Sequence, residues 1–125
     1  MARRHFTQPV LSLLHTSRTL RIRAGSGKHR MIGIWMVVVE NRLFVRSWTV
    51  EPDGWFHTFR REGRGSIAVG RRNIAVRAVH IKSDRLKNAV SRAYADKYKS
   101  PGSRPYVRGF RTAKRKNATL ELIPA

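Results

Sequence analysis

The chain has 125 residues, and its 27 Lys and Arg against 7 Asp and Glu give a formal net charge of +20. This length fits one domain, and a hydrophobic content of 41% is enough to build a core. There is no cysteine, which excludes disulfides, a thiolate nucleophile and a thiolate metal site. The positive charge is spread along the whole chain, so we expect a folded basic surface that attracts anionic small molecules or nucleic acid.

The beginning of the chain carries no recognisable export or membrane signal. Polar residues interrupt the stretch after the basic start, and the longest apolar run, Ile34 to Val39, is far too short to span a bilayer. We therefore expect a cytoplasmic protein without membrane contact. Residues 1–18 are predicted to be an N-terminal extension with a short helix around Val10 and Leu14, and residues 19–125 to be a single domain.

The first predicted elements of the domain are a strand and a hairpin. Residues 19–23 alternate polar and apolar side chains, which predicts a half-buried strand before a loop rich in glycine and serine. Residues 34–39 are apolar on both faces, and residues 40–42 supply a turn in which Asn tolerates positive φ. Residues 43–48 run back. We predict that Ile34 to Trp48 forms a buried β-hairpin at the centre of the fold.

The returning strand of this hairpin carries the most informative side chain. Strand alternation divides its six residues between two faces, Phe44, Arg46 and Trp48 against Leu43, Val45 and Ser47. A charge between two aromatic side chains is costly to bury without a partner. Arg46 therefore predicts either an anionic ligand or an acidic partner on this face.

The second half of the chain predicts further short elements around the hairpin. Pro52-Asp53-Gly54 predicts a turn. The pattern after it predicts a helix at 55–61, strands at 66–69 and 74–81, a helix at 85–99 capped by Ser83 or Asp84, a basic irregular stretch at 100–117 and a strand at 119–123. Several short strands with two or three helices outside them indicate a small α+β barrel.

No motif in the sequence supplies catalytic chemistry by itself. Gly25-Ser26-Gly27-Lys28 is a fragment of a phosphate-binding loop that lacks the earlier glycine and the following hydroxyl residue. This leaves a flexible basic loop, or a phosphate contact by Lys28 or Arg30. The five histidines lack metal-ligand spacing, and the few carboxylates do not form an acid–base pair. Any enzymatic activity would therefore depend on a cofactor.

The order of several short motifs carries a resemblance. These motifs are Ile34-Trp35, LFVRS at 43–47, Gly54-Trp55-Phe56, AYADKY at 93–98 and TLELIP at 119–124. In this order they resemble an uncharacterised bacterial family of the FMN-binding split-barrel superfamily. Pyridoxamine phosphate oxidases and deazaflavin-dependent nitroreductases are its better-known relatives. The resemblance covers roughly residues 19 to 124.

This resemblance implies a six-stranded split β-barrel with two or three flanking helices. It also implies a homodimer that holds a flavin phosphate with basic and hydroxyl side chains near the subunit interface. By position, Arg46 and Ser47 on the hairpin are the candidate phosphate ligands. Lys28 and Arg30, before the hairpin, are candidate basic ligands of the cofactor, and Trp48 and Trp55 are candidate walls of the site.

Three functions remain open at this point. The first is an oxidoreductase-like protein that binds FMN or a deazaflavin. The second is a cofactor-free module that binds nucleic acid or another polyanion, with Lys114-Arg115-Lys116 as a contact. The third is a dimer or partner-binding module in which an acidic residue across the interface pairs with Arg46.

Overall fold

The computed structural model describes residues 4–49 and 54–125. Residues 1–3 of the predicted extension, and most of the predicted turn at Pro52-Asp53-Gly54, lie outside the described residues. The elements within them are α1 (Gln8–Thr16), β1 (Leu20–Ala24), β2 (Ile32–Ile34), β3 (Met36–Val39), β4 (Arg42–Arg46), α2 (Trp55–Glu62), β5 (Arg64–Val69), β6 (Arg72–His80), α3 (Asp84–Lys97), α4 (Arg104–Gly109), α5 (Ala113–Lys116) and β7 (Thr119–Pro124).

The strands of this part of the chain form one antiparallel sheet in the order β2-β1-β5-β6-β7-β4-β3. Its two edge strands, β2 and β3, are consecutive along the chain and are separated only by Trp35. Because one residue joins them, the two edges must lie close together, and the sheet curls into a nearly closed barrel. The predicted α+β barrel is confirmed at this level, but within residues 4–49 and 54–125 the sheet has seven strands instead of six, and five helices accompany it.

The central hairpin is formed by β3 and β4, with Met36 opposite Val45 and Val39 opposite Arg42. Glu40 and Asn41 make its two-residue turn, and their φ angles are 55° and 59°. Two positive φ angles define the turn whose twist matches paired strands, so the predicted positive-φ turn is confirmed. The predicted start at Ile34 was wrong, because the chain breaks at Trp35 and the residues before it pair with β1 instead.

The two faces of β4 contribute to different layers, as alternation predicted. Leu43 and Val45 lie inside the barrel, in a core that α1 and α2 also enter. Other fully buried members of this core are Leu14, Leu20, Ile22, Met36, Phe59, Ile67, Val76 and Leu120. Phe44 lies on the outer face, where it packs in a second cluster with Val90 and Tyr94 of α3. The hairpin is therefore buried on both sides, and α3 is the layer that covers its outer face.

The stretch at 100–117, predicted to be irregular, contains two short helices. Val107 and Phe110 are buried against α3, with the Phe110 and Tyr94 ring centroids 4.8 Å apart. Helices of six and four residues depend on tertiary contacts for their stability, because so few residues form few internal hydrogen bonds. Across residues 4–49 and 54–125, no helix combines the length and the apolar character needed to cross a membrane.

Candidate functional site

Arg46 ends β4 on the outer face of the sheet, beneath α3, and is only 2% exposed. Its Nε donates to Thr119 Oγ1 at 2.8 Å. Its Nη1 donates to Ser91 Oγ at 2.8 Å and to the Phe110 carbonyl at 3.0 Å, and its Nη2 donates to the Lys87 carbonyl at 2.9 Å. Arg46 therefore fastens β4 to β7, to α3 and to the end of α4.

The charge of Arg46 has no carboxylate partner in the described part of the chain. Its four hydrogen-bond acceptors are neutral oxygens, and Glu121 on β7 binds Arg42 instead, with 2.8 Å between Glu121 Oε1 and Arg42 Nη2. Burial lowers the pKa of Arg46 to about 10, against a smaller raising effect from Tyr94. The guanidinium remains charged at neutral pH, and one of its five N–H donors has no partner among the described residues.

A cleft of about 430 Å³ opens beside Arg46, and its walls are mainly aromatic. Trp35 follows β2, Trp48 follows β4 and Trp55 begins α2, so three distant segments each contribute an indole ring. Tyr106 and Phe110, from the region of α4, complete the aromatic lining. Trp48 is 39% exposed and Tyr106 is 52% exposed, so ring surface is left open to a ligand.

The aromatic side chains of the cleft contact one another and do not project independently. Trp35 meets Tyr106 and Phe110 edge-on at 6.2 Å, and Trp48 meets the same two rings at 5.1 and 5.6 Å. The Arg115 guanidinium lies 3.6 Å from the centre of the Trp48 ring, and its Nε donates to the Trp48 carbonyl at 2.8 Å. Cation–π contact and hydrogen bond together hold the exposed Trp48 in place.

Side chains of α3 and its C-cap hold the break between β2 and β3. The Tyr94 hydroxyl donates to the Trp35 carbonyl at 3.3 Å. The Tyr98 hydroxyl accepts from the Met36 N–H at 3.1 Å, and Lys97 Nζ donates to the Met36 carbonyl at 3.1 Å. The Trp35 and Tyr98 rings are stacked, with centroids 4.0 Å apart and an interplanar angle of 6°. The inner wall of the cleft is thus fixed by α3 through both backbone and ring contacts.

Burial shifts the pKa values of the ionisable side chains that hold the break between β2 and β3. Lys97 Nζ also donates to the Leu14 carbonyl at 3.0 Å, near the C-terminal end of α1, where a positive charge is favourable. Burial nevertheless lowers the pKa of Lys97 to about 8, because the loss of water disfavours the charged ammonium group. Burial raises the pKa of Tyr98 to about 12 and raises the pKa of Tyr94 still further. Both tyrosines therefore act as neutral hydrogen-bonding groups at neutral pH.

Three of the six predicted site residues come together in the structure. Arg46, Trp48 and Trp55 all line the cleft. Ser47 is buried beside them at 1% exposure, and its hydroxyl donates to the Thr49 carbonyl. The prediction of a ligand near the end of the hairpin therefore coincides with a cleft, and Ser47 stabilises the chain where it leaves β4.

The other predicted basic residues lie elsewhere. Lys28 and Arg30 are exposed in the loop before β2 and do not line the cleft. The basic run at 114–116 forms most of α5 and is largely engaged within the protein, because Arg115 packs on Trp48 and Lys116 Nζ donates to Asn88 Oδ1 at 2.5 Å. Residues 4–49 and 54–125 contain no group of three His, Asp or Glu side chains that could hold a metal ion.

Sequence reasoning missed Tyr106 and Phe110 as lining residues because they lie in the stretch that was expected to be irregular, and it expected Arg115 to contact a polyanion and not to pack on Trp48. Tyr106 and Phe110 stand four residues apart, which is helical spacing, and this was the available signal. Trp35, which belongs to the predicted buried hairpin, lines the cleft as well as packing on Tyr98.

A nearly closed antiparallel barrel with a cleft beside its hairpin defines a split-barrel-type protein. The chain belongs to the bacterial family described as "Uncharacterized protein conserved in bacteria (DUF2255)", whose model matches residues 11–122. The predicted membership of an uncharacterised bacterial family is confirmed. No curated protein matches the chain.

Several solved structures share the fold. The conserved hypothetical protein Rv2991 from Mycobacterium tuberculosis has a TM-score of 0.59 at 13% identity, over 100% of this chain and 83% of that one. A Listeria innocua protein, provisionally named a pyridoxamine 5′-phosphate oxidase, has a TM-score of 0.61 at 10% identity, over 94% and 90% of the two chains. An FAD-binding protein from Mesorhizobium loti has a TM-score of 0.55 at 12% identity, over 98% and 91%. At these identities the likeness shows the fold alone.

Proposed function

We propose that the aromatic cleft binds a planar, anionic cofactor of the flavin type, FMN or a deazaflavin. The observation that carries the proposal is the grouping of Trp35, Trp48, Trp55, Tyr106 and Phe110 around one open cleft beside a buried cation. A volume of about 430 Å³ lies within the range of small-molecule and cofactor sites. Two structural neighbours named for flavin binding or pyridoxamine phosphate oxidation support it by analogy of fold.

The residues of the cleft fit such a group in two respects. Trp48 and Tyr106 offer flat, partly exposed apolar rings against which a fused ring system packs. Arg46 supplies a positive charge that no carboxylate of the described chain neutralises, together with one unused N–H donor. Arg115, which rests on Trp48, is a second cation at this wall. The Ser47 hydroxyl donates to the Thr49 carbonyl and so stabilises the chain just after Arg46 instead of facing the cleft as a free donor.

The chemistry of this proposal divides between cofactor and chain. A bound flavin or deazaflavin supplies the hydride-transfer chemistry that the side chains of the cleft lack. The chain binds and orients the ring with its aromatic side chains, balances its negative charge with Arg46, and keeps water from the inner wall at Trp35. Oxidoreductase activity is part of the proposal only through that cofactor.

Titration of the protein with FMN, followed by tryptophan and flavin fluorescence, tests the proposal. We expect saturable quenching at micromolar FMN. Trp48→Ala should weaken FMN binding by about tenfold, since an aromatic packing partner contributes roughly 1–1.5 kcal/mol. Ile32→Ala is the matched control, because Ile32 is 42% exposed and lies outside the cleft lining. Equal affinity of both variants for FMN would place the ligand elsewhere, and no binding of FMN or a deazaflavin would end the proposal.

A second candidate, binding of nucleic acid, is favoured by the outer face of β1, β5 and β6. Arg21, Arg23, Arg64 and Arg77 lie on this face, without an ion pair among the described residues, and Arg64 stands directly opposite Arg77. Such a surface binds phosphate backbones with an affinity that falls steeply with salt. Affinity for single-stranded DNA, measured at two salt concentrations, decides this candidate, and an affinity that does not change with salt would reject it.

A further inference from the structure

Helices α3 and α4 enclose a second concavity, a groove of about 390 Å³ that the flavin proposal does not use. It is lined by Ala95, Tyr98, Lys99, Arg104, Val107, Arg108 and Arg111, and we call it the α3–α4 groove. Tyr106 and Phe110 line the aromatic cleft, whereas Arg104 and Arg108, four residues apart, lie on a different face of α4. One short helix therefore separates two sites of opposite character, the first aromatic and the second strongly basic.

Four cations border the α3–α4 groove, and each of them is exposed: Lys99, Arg104, Arg108 and Arg111. In the part of the chain that the structure describes, none of these four side chains takes part in a hydrogen bond or an ion pair. This distinguishes them from Arg42 and Arg85, which are bound to carboxylates. Among the residues that the structure describes, no Asp or Glu lines the groove. A concave surface with charges of one sign concentrates the electrostatic potential, so the groove attracts anions more strongly than a flat surface would.

The groove is held open by contacts that leave its cations unused. Val107 is 8% exposed and packs in the cluster that contains Tyr98, which fixes α4 against α3. The tight connection between the helices is held by a hydrogen bond of 2.7 Å between Ser100 Oγ and Ser103 Oγ. Arg18 Nη2 also donates to Ser103 Oγ at 2.9 Å, and Ser103 is buried. Because these contacts are made within the protein, binding would require little rearrangement of the backbone.

We propose that the α3–α4 groove is a binding site for a compact polyphosphate group, either free or at the end of a nucleotide. Four cations around one groove exceed what a single phosphate requires, and they match a group that carries several negative charges. The volume of about 390 Å³ is that of a small-molecule site, which favours a compact ligand over a long nucleic acid strand. Three of the cations are arginines, whose planar donors suit paired phosphate oxygens.

The test is isothermal titration of the whole chain with sodium tripolyphosphate at an ionic strength of about 0.15 M. We expect binding that the triple variant Arg104→Ala, Arg108→Ala, Arg111→Ala weakens by more than about tenfold, since charge-assisted hydrogen bonds are lost. The matched control is a triple variant of the outer sheet face, Arg21→Ala, Arg23→Ala, Arg64→Ala. It removes the same three charges, and we expect it to change the affinity for tripolyphosphate by less than about threefold. Because all six arginines are exposed or only partly buried, thermal denaturation should show that both variants fold.

The outcomes distinguish a specific binding site in the α3–α4 groove from the general electrostatic attraction of anions to a basic protein. Equal weakening of tripolyphosphate binding in both triple variants would overturn the proposal, because only net charge would then matter. Orthophosphate that binds as tightly as tripolyphosphate would also overturn it. A nucleoside triphosphate that binds like tripolyphosphate, and loses affinity in the groove variant alone, supports polyphosphate as the recognised group. If it binds equally well to the groove variant, recognition lies elsewhere and the proposal fails.

Discussion

Replacement of Arg46 by methionine should destabilise the protein by about 3 kcal/mol. The change removes four hydrogen bonds from a charged donor, which at about 1.5 kcal/mol each amount to roughly 6 kcal/mol. It also removes a buried charge, and the lowering of the pKa of Arg46 to about 10 by burial corresponds to roughly 3 kcal/mol of desolvation cost. The difference is the expected loss in the free energy of unfolding.

Urea denaturation followed by tryptophan fluorescence measures this loss directly. Arg77→Met is the control, because it also removes an arginine from a strand but from an exposed position opposite Arg64. We expect the control to change the free energy of unfolding by no more than about 0.5 kcal/mol. A loss below about 1 kcal/mol for Arg46→Met would refute the conclusion that Arg46 holds α3 and α4 on the barrel.

Three further changes test other parts of the account. Between pH 8 and 10.5 the unfolded chain binds more protons at Lys97 than the folded one. The free energy of unfolding should therefore rise with pH in that window, by about 1 kcal/mol after allowance for solvent screening. Denaturation at several pH values should show this rise in the unsubstituted protein and not in Lys97→Met. Gly109→Ala places a Cβ 2.6 Å from Trp48 Cζ3 and should therefore shift the tryptophan emission, whereas Gly102→Ala, with open space around its Cβ, should not. Equal emission spectra of the two variants would argue against the tight packing of α4 on Trp48. Asn41→Val should lower the midpoint of urea denaturation by an amount equivalent to about 1–2 kcal/mol, because a β-branched residue is strained at a φ of 59°, and an unchanged midpoint would contradict the turn.

The parts of the fold that depend on local patterns could be predicted from the sequence. Alternation placed Phe44 and Arg46 on the face opposite Leu43 and Val45, and the structure has this arrangement. The helix expected after Ser83 is α3, and the Ser83 hydroxyl accepts a hydrogen bond from the Leu86 N–H at its first turn. These features depend on neighbouring residues, so a short window of sequence contains the information.

The parts of the fold and of the candidate site that depend on closure of the sheet, or on contacts between distant segments, could not be predicted from the sequence. The apolar run that begins at Ile34 gives no local sign that Trp35 interrupts it, because the break follows from the meeting of two sheet edges. The partners of Arg46 lie between 41 and 73 residues away along the chain, and two of them are backbone carbonyls that any residue would supply. Residue types therefore indicated that Arg46 needed partners, but not which ones.

The most direct test of the central claim is the absorbance spectrum of purified protein, recorded before and after addition of micromolar FMN. If the cleft bounded by Trp35, Trp48 and Tyr106 is a flavin site, the flavin bands should shift and broaden as the ring stacks on the indoles, and the change should saturate at one FMN per chain. The same titration of Trp48→Ala should require about tenfold more FMN. A spectrum equal to the sum of free FMN and protein would contradict the claim that this cleft binds a flavin.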